Sequence, residues 1–249
     1  MKKISIASLI EKDYRINEAY KTLRTNLLFC GSAYKIIVLT SCDENEGKTT
    51  VTLELAKSLV ETGKRVLVID ADMRKSVIQR KYLSNEEPLL GLSEYLSDQA
   101  ELSDILAVAD EEKLFIIPSG KYPPNPVELL GTPRFKALLE SSRNSFDYIL
   151  VDTPPLGLVI DAAVVAEYCD GAILILHAGK TSARLVRSVR AQLEKSQCTL
   201  LGGVFNNVQV GRNIYYKHYY KHYYRGYYHN KYYGDDNNPK QSKQEEEKE

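Results

Sequence analysis

Six short apolar runs limit what this chain can fold into: Ile36–Thr40, Val66–Asp70, Leu114–Pro118, Tyr148–Asp152, Ala172–Leu176 and Leu200–Phe205. Most are rich in β-branched residues and continuous rather than alternating, the pattern of strands buried on both faces of a parallel sheet. Helical patterns fall between them, over about 16–29, 48–62, 133–141, 161–167 and 181–196. Gly63 ends one of these; Thr132 before Pro133 opens another with an N-cap and a proline at the first helical position. The alternation predicts an α/β fold: a doubly wound, mainly parallel sheet with helices on both faces and right-handed crossovers. Ligands of such sheets bind beyond the carboxyl ends of the strands, so chemistry is expected directly after the apolar runs.

Composition excludes several classes. Lys plus Arg and Asp plus Glu are 33 each, a formal net charge of zero, without the basic excess of a whole-chain nucleic-acid binder. Runs such as Ala172–Leu176 fall far short of the roughly 20 apolar residues of a membrane helix. Met1-Lys-Lys-Ile-Ser leads into mixed polar sequence, unlike a secretory signal. Cys30, Cys42, Cys169 and Cys198 lack CxxC spacing, which disfavours a zinc site or a disulfide framework. Cys30, Cys169 and Cys198 read as small core residues, and the expected location is cytoplasmic.

Three motifs follow strands. Ser41-Cys-Asp-Glu-Asn-Glu-Gly-Lys-Thr-Thr50 leaves the first run and opens a helix. Its Gly47-Lys48-Thr49 matches the end of a Walker A loop, where backbone N–H groups cradle phosphate at a helix N-terminus. Lys48 is placed to reach the β- and γ-phosphates, and the Thr49 hydroxyl to bind Mg²⁺. Cys42 stands where the motif has its first glycine. Asn45 takes a position where another glycine is frequent, and asparagine tolerates positive φ better than other non-glycine residues. Val66-Leu-Val-Ile-Asp70-Ala-Asp72 ends in two carboxylates on one side of a strand, because side chains alternate with period two. Tyr148-Ile-Leu-Val-Asp152-Thr-Pro-Pro155 is a Walker B strand with a terminal metal-shell acid and an extended exit. A phosphate loop followed by two acidic strand ends points to Mg-nucleotide.

Beyond about residue 210 the composition changes. Of 18 tyrosines, Tyr215, Tyr216, Tyr219, Tyr220, Tyr223, Tyr224, Tyr227, Tyr228, Tyr232 and Tyr233 fall in one short stretch. It contains Lys217, Lys221, Arg225 and Lys231 and no acid, and it is followed by a polar end. The expected organisation is a globular body over 1–210 and a flexible, disordered C-terminal tail over 211–249.

The trio GKTT, VLVIDADMR and ILVDTPP resembles the Walker A, A′ and B set of the bacterial tyrosine kinases, relatives of the MinD/ParA-type ATPases with a P-loop NTPase fold. No HRD or DFG sequence is present. The tyrosine tail makes the chain similar to the separate cytoplasmic kinases of Gram-positive capsule and exopolysaccharide systems. The resemblance implies that ATP and Mg²⁺ are the cofactors. It implies ATP contacts from Asn45, Glu46, Gly47, Lys48, Thr49, Thr50 and Asn206, with Asn206 reading the adenine. It also implies metal binding by Thr49, Asp70 and Asp152, and catalytic roles for Lys48, Asp70 and Asp72. Glu18-Ala-Tyr-Lys-Thr-Leu-Arg24-Thr-Asn26 resembles the family's oligomerisation helix, with Lys21 in place of an arginine. Glu18, Lys21 and Arg24 are the expected oligomer contacts.

The reading is then an ATP-dependent protein-tyrosine kinase that autophosphorylates the ten-tyrosine cluster, between subunits, and regulates capsular or exopolysaccharide synthesis. The expected partners are a membrane adaptor that recruits and activates it, a cognate protein-tyrosine phosphatase, and further copies in a ring when unphosphorylated. Nucleic acid is not among them. The alternative is a ParA/MinD-type ATPase switch acting on membrane or DNA, but that group carries an early second lysine in its loop, and Ser41–Glu46 has none. Elsewhere, Asp161 reads as a helix cap, His177 as a hydrogen-bonded strand end, and Pro123–Leu130 as a rigid loop entering a helix.

Overall fold

The structure, a computed structural model, describes residues 2–4, 14–78, 80, 89–109 and 112–208, all within the unit Met1–Val208. The tyrosine cluster and the boundary expected near residue 210 lie outside the described residues.

The elements run β1 (Lys2–Ile4), α1 (Tyr14–Phe29), β2 (Ile36–Ser41), α2 (Lys48–Val60), β3 (Val66–Asp70), α3 (Leu92–Leu96), α4 (Leu102–Ile105), β4 (Ala107–Ala109), β5 (Leu114–Ile117), α5 (Pro126–Leu130), α6 (Pro133–Ser142), β6 (Tyr148–Asp152), α7 (Asp161–Ala166), β7 (Gly171–His177), α8 (Ala183–Lys195) and β8 (Thr199–Asn206). The strands form one eight-stranded sheet in the order β1-β4-β5-β3-β6-β2-β7-β8. All neighbours are parallel except β4 and β5. The six apolar runs are β2, β3, β5, β6, β7 and β8, and β2, β3, β5 and β6 are buried along their whole length.

Period-two alternation divides the core. Ile36 and Val38 of β2 pack on one face with Phe135, Leu138, Ala162, Val165, Val189 and Leu193 from α6, α7 and α8. Ile37 and Leu39 pack on the other with Leu27 of α1 and Val51, Leu55 and Leu59 of α2. Four elements carry no legible sequence pattern: β1 and β4 have three residues each, and α3 and α4 have five and four. Tertiary pairing and packing, rather than periodicity, hold pieces this short. Within Pro123–Leu130, read as a loop entering a helix, Pro126–Leu130 is itself the helix α5, opened by its proline. The cysteine expectation needs one correction: Cys198 is buried and Cys169 partly so, but Cys30, one residue past α1, is exposed.

Candidate active site

The strand order sets β3, β6 and β2 side by side, so all three motifs emerge at one end of the sheet. After Ser41 the chain turns through Asn45 at φ 58° and Gly47 at φ 86°, then enters α2 at Lys48. Both residues occupy the left-handed region, where asparagine and glycine are the usual occupants. The first intrahelical bond runs from the Val51 N–H to the Gly47 carbonyl at 2.9 Å. The N–H groups of Lys48 and Thr49 therefore precede the helical ladder, at the helix end that attracts an anion. Cys42 is fully buried beneath the loop, and burial pushes its thiol pKa up to about 12. A Cβ built on Gly157 would overlap the Cys42 carbonyl oxygen, so the chain leaving β6 packs directly against the loop's base.

Asp70 and Asp152 are paired in register on β3 and β6. The Thr49 hydroxyl donates to Asp152 Oδ2 at 2.6 Å and that of Thr52 to Oδ1 at 3.4 Å. Ser76 donates to Asp70 Oδ2 at 2.5 Å, and the Asp72 N–H to Oδ1 at 3.2 Å. Lys48 Nζ lies 3.2 Å from Asp72 Oδ2, with both side chains nearly buried. Burial and the facing Asp152 carboxylate raise Asp70 well above the ordinary carboxylate range. Burial raises Asp152 to about 6 against the opposing pull of Lys48 and the Thr49 hydroxyl. For Lys48, burial lowers the pKa, but Asp152, Asp72 and Asp70 together outweigh it and hold it above normal. Excess buried negative charge around one ammonium is a site short of a cation. The donors are all oxygens, which suits a hard divalent ion. Among the described residues, no three acidic, His or Cys side chains are arranged to hold a metal by themselves. That matches Mg²⁺ chemistry, where one or two carboxylates, waters and substrate phosphates complete the shell.

Asn206, at the end of β8, donates from Nδ2 to the Glu46 carbonyl at 2.9 Å and packs against Gly47. His177 ends β7, with Nδ1 3.1 Å from the Ala178 carbonyl oxygen. Asp161 departs from expectation. It is the first residue of α7, with Ile160 in the cap position, and its Oδ1 accepts from Arg74 Nε at 2.8 Å. Thr52, Ser76 and Thr181 join the site although sequence reasoning passed over them. Thr52 had a signal, since it follows Lys48 by four residues on one helix face; Ser76 and Thr181 had none. The loop, the acids and Asn206 converge. Glu18, Lys21 and Arg24 lie apart from them on α1, where Lys21 pairs with Glu18 at 2.8 Å and Arg24 reaches the Ser58 carbonyl on α2 at 2.6 Å.

A phosphate loop between β2 and α2, with acids ending the two strands beside it, defines a P-loop NTPase. The family model described as an AAA domain matches residues 34–197. The tyrosine-protein kinase CpsD of Streptococcus agalactiae serotype III is 40% identical over 203 residues, spanning 82% of this chain and 87% of that protein. The kinase domain of the Escherichia coli tyrosine kinase ETK superposes with a TM-score of 0.72 at 32% identity, covering 79% of each chain. The septum site-determining protein MinD of Pyrococcus horikoshii, complexed with Mg-ADP, gives 0.60 at 26% identity over 72% of each. The chain belongs to the bacterial tyrosine-kinase family and is a protein-tyrosine kinase.

Proposed function

We propose that the kinase uses Mg²⁺-ATP to phosphorylate the tyrosines between Tyr215 and Tyr233 on a neighbouring copy, and thereby regulates capsular or exopolysaccharide assembly. The observation that carries this reading is the convergence of Lys48, Thr49, Asp70, Asp72 and Asp152 at one phosphate loop, in a chain with ten clustered tyrosines. In this reading the N–H groups at the start of α2 and the Lys48 ammonium hold the phosphates. Thr49, Asp70 and Asp152 hold Mg²⁺, which when bound neutralises charge on the transferring phosphoryl group. Asp70 or Asp72 accepts the proton of the incoming tyrosine hydroxyl and orients its oxygen for in-line attack. Asn206 reads the adenine beside Gly47.

No helix among the described residues is long and apolar enough to cross a membrane. A membrane adaptor is therefore assigned the recruitment to the inner face of the cell membrane, together with activation of the kinase. A protein-tyrosine phosphatase reverses the reaction, and unphosphorylated copies assemble through α1.

Phosphotyrosine mass spectrometry of the full chain, with and without Mg²⁺-ATP and alongside Lys48→Met, tests the reading. Modification in the cluster that requires ATP and Lys48 is expected. ATP turnover without any phosphotyrosine would favour the MinD-type switch instead.

A further inference from the structure

The Glu46 carboxylate is one of the few acidic groups buried in the site, and its hydrogen bonds go to the loop and to the turn after β7. Its Oε2 accepts the N–H groups of Cys42 at 2.8 Å and Asp43 at 3.1 Å. Its Oε1 accepts the Thr181 hydroxyl and, at 3.4 Å, the His177 N–H. The Thr181 oxygen in turn accepts the same His177 N–H at 2.9 Å. The Glu46 carbonyl receives Asn206 Nδ2. One residue, 4% exposed, thus joins the start of the phosphate loop, the turn between β7 and α8, and the end of β8.

We infer that Glu46 is a positioning residue of the phosphate loop rather than a nucleotide ligand. A carboxylate facing a polyphosphate repels it; the oxygens of this one are instead occupied by donors from two segments. Those bonds occupy the N–H groups of Cys42 and Asp43, at the place where the Walker A pattern has its first glycine. The loop is fixed there by a side chain instead, and the N–H groups entering α2 remain directed at phosphate. Because Thr181 and Asn206 hold the same residue, the phosphate side and the base side of the site are mechanically joined through it.

The inference rests on the nucleotide reading above, and its test separates the two. Calorimetric titration of the full chain with Mg²⁺-ADP and with AMP, well below the melting temperature, compares wild type with Glu46→Ala, Glu46→Gln and Thr181→Val. Glu46→Ala should weaken Mg²⁺-ADP by tenfold or more and AMP by less, since only ADP fills the loop. Glu46→Gln, whose carbonyl oxygen still accepts from Cys42 and Asp43 and whose amide reaches Thr181, should stay within about threefold of wild type. Thr181→Val should fall between them. A Glu46→Ala chain that melts earlier but binds Mg²⁺-ADP normally would overturn the inference, leaving only a structural residue. Equal losses in the Ala and Gln variants would overturn it too, because the retained hydrogen bonds would then not matter. A wild-type chain that fails to bind Mg²⁺-ADP would overturn the nucleotide reading itself.

Discussion

Thr49 and Asp152 are joined by a 2.6 Å hydrogen bond across 103 residues of sequence, one at the head of α2 and the other at the tip of β6. In the reading proposed for the site these are two of the residues that would hold the metal, so the bond brings them together at one point. The bond steadies the loop against the sheet and pulls the Asp152 pKa down, but burial prevails and raises it to about 6.

That pKa has a thermal consequence. A carboxyl group whose folded pKa exceeds its unfolded value binds more protons when folded, so stability falls as pH rises through the interval. For Asp152 the interval runs from 3.8 to about 6, corresponding to about 3 kcal/mol. Free of metal and nucleotide, the protein should melt at lower temperature at pH 7.5 than at pH 5.5. Asp152→Asn should flatten that slope, and Mg²⁺-ADP should restore wild type most at the higher pH. Melting curves across pH 5–8 decide it; a wild-type melting temperature that climbed through pH 6 would contradict the assignment.

Lys48 is the cation among Asp70, Asp72 and Asp152. Lys48→Met should lower phosphotyrosine formation roughly 100-fold or more, the scale of losing a preorganised charge-stabilising donor. Initial rates by quantitative mass spectrometry provide the check, and a loss under tenfold would remove Lys48 from the phosphate site.

Gly157 tests the packing under the loop. An added Cβ must displace the Cys42 carbonyl, so Gly157→Ala should cost about 1–3 kcal/mol, typical of overpacking, and should weaken Mg²⁺-ADP binding as the loop shifts. Denaturant unfolding and calorimetry measure both. An unchanged midpoint would mean that the two segments separate freely.

The α1 residues divide by role. Glu18 and Lys21 form a surface pair, and exposed pairs contribute about 0–1 kcal/mol. Arg24 is instead tied into its own protomer through the Ser58 carbonyl and hydroxyl, 2.6 and 3.2 Å away. Alanine at Glu18 and Lys21 should weaken assembly in light scattering with little change in melting temperature, whereas Arg24→Ala should lower both. Intact assembly in the double variant would place the oligomer contact elsewhere.

The centre of the sheet was legible because β2, β3, β5, β6 and β7, buried on both faces, are written as unbroken apolar runs. The Leu200–Phe205 run, read the same way, is instead the half-exposed edge strand β8, which has a neighbour on one side only. The site was legible where its chemistry is local: Gly47-Lys48-Thr49, Asp70 and Asp72, and Asp152 each follow a strand within a few residues. Even the left-handed turn at Asn45 follows from side-chain chemistry. Illegible were the contacts made at a distance. Glu46 meets His177 and Thr181 across 131 and 135 residues, and Arg74 meets Asp161 across 87. No periodicity encodes such meetings; the strand order creates them. The antiparallel β4 was hidden for a related reason, since three residues acquire their direction only from the neighbour they pair with.

The distribution of sulfur offers a practical handle. Cys42 and Cys198 are buried with thiol pKa values of about 12 and about 11, and burial raises Cys169 well above its usual range. Thiolate is the form that alkylates, so protonation shields all three, and burial also closes access to Cys42 and Cys198. Cys30 alone among the four is exposed. A maleimide dye added to the unaltered chain should therefore settle at the end of α1, on the helix expected to meet a neighbouring copy. Energy transfer between donor- and acceptor-labelled chains would then report assembly and release in real time, without an engineered cysteine.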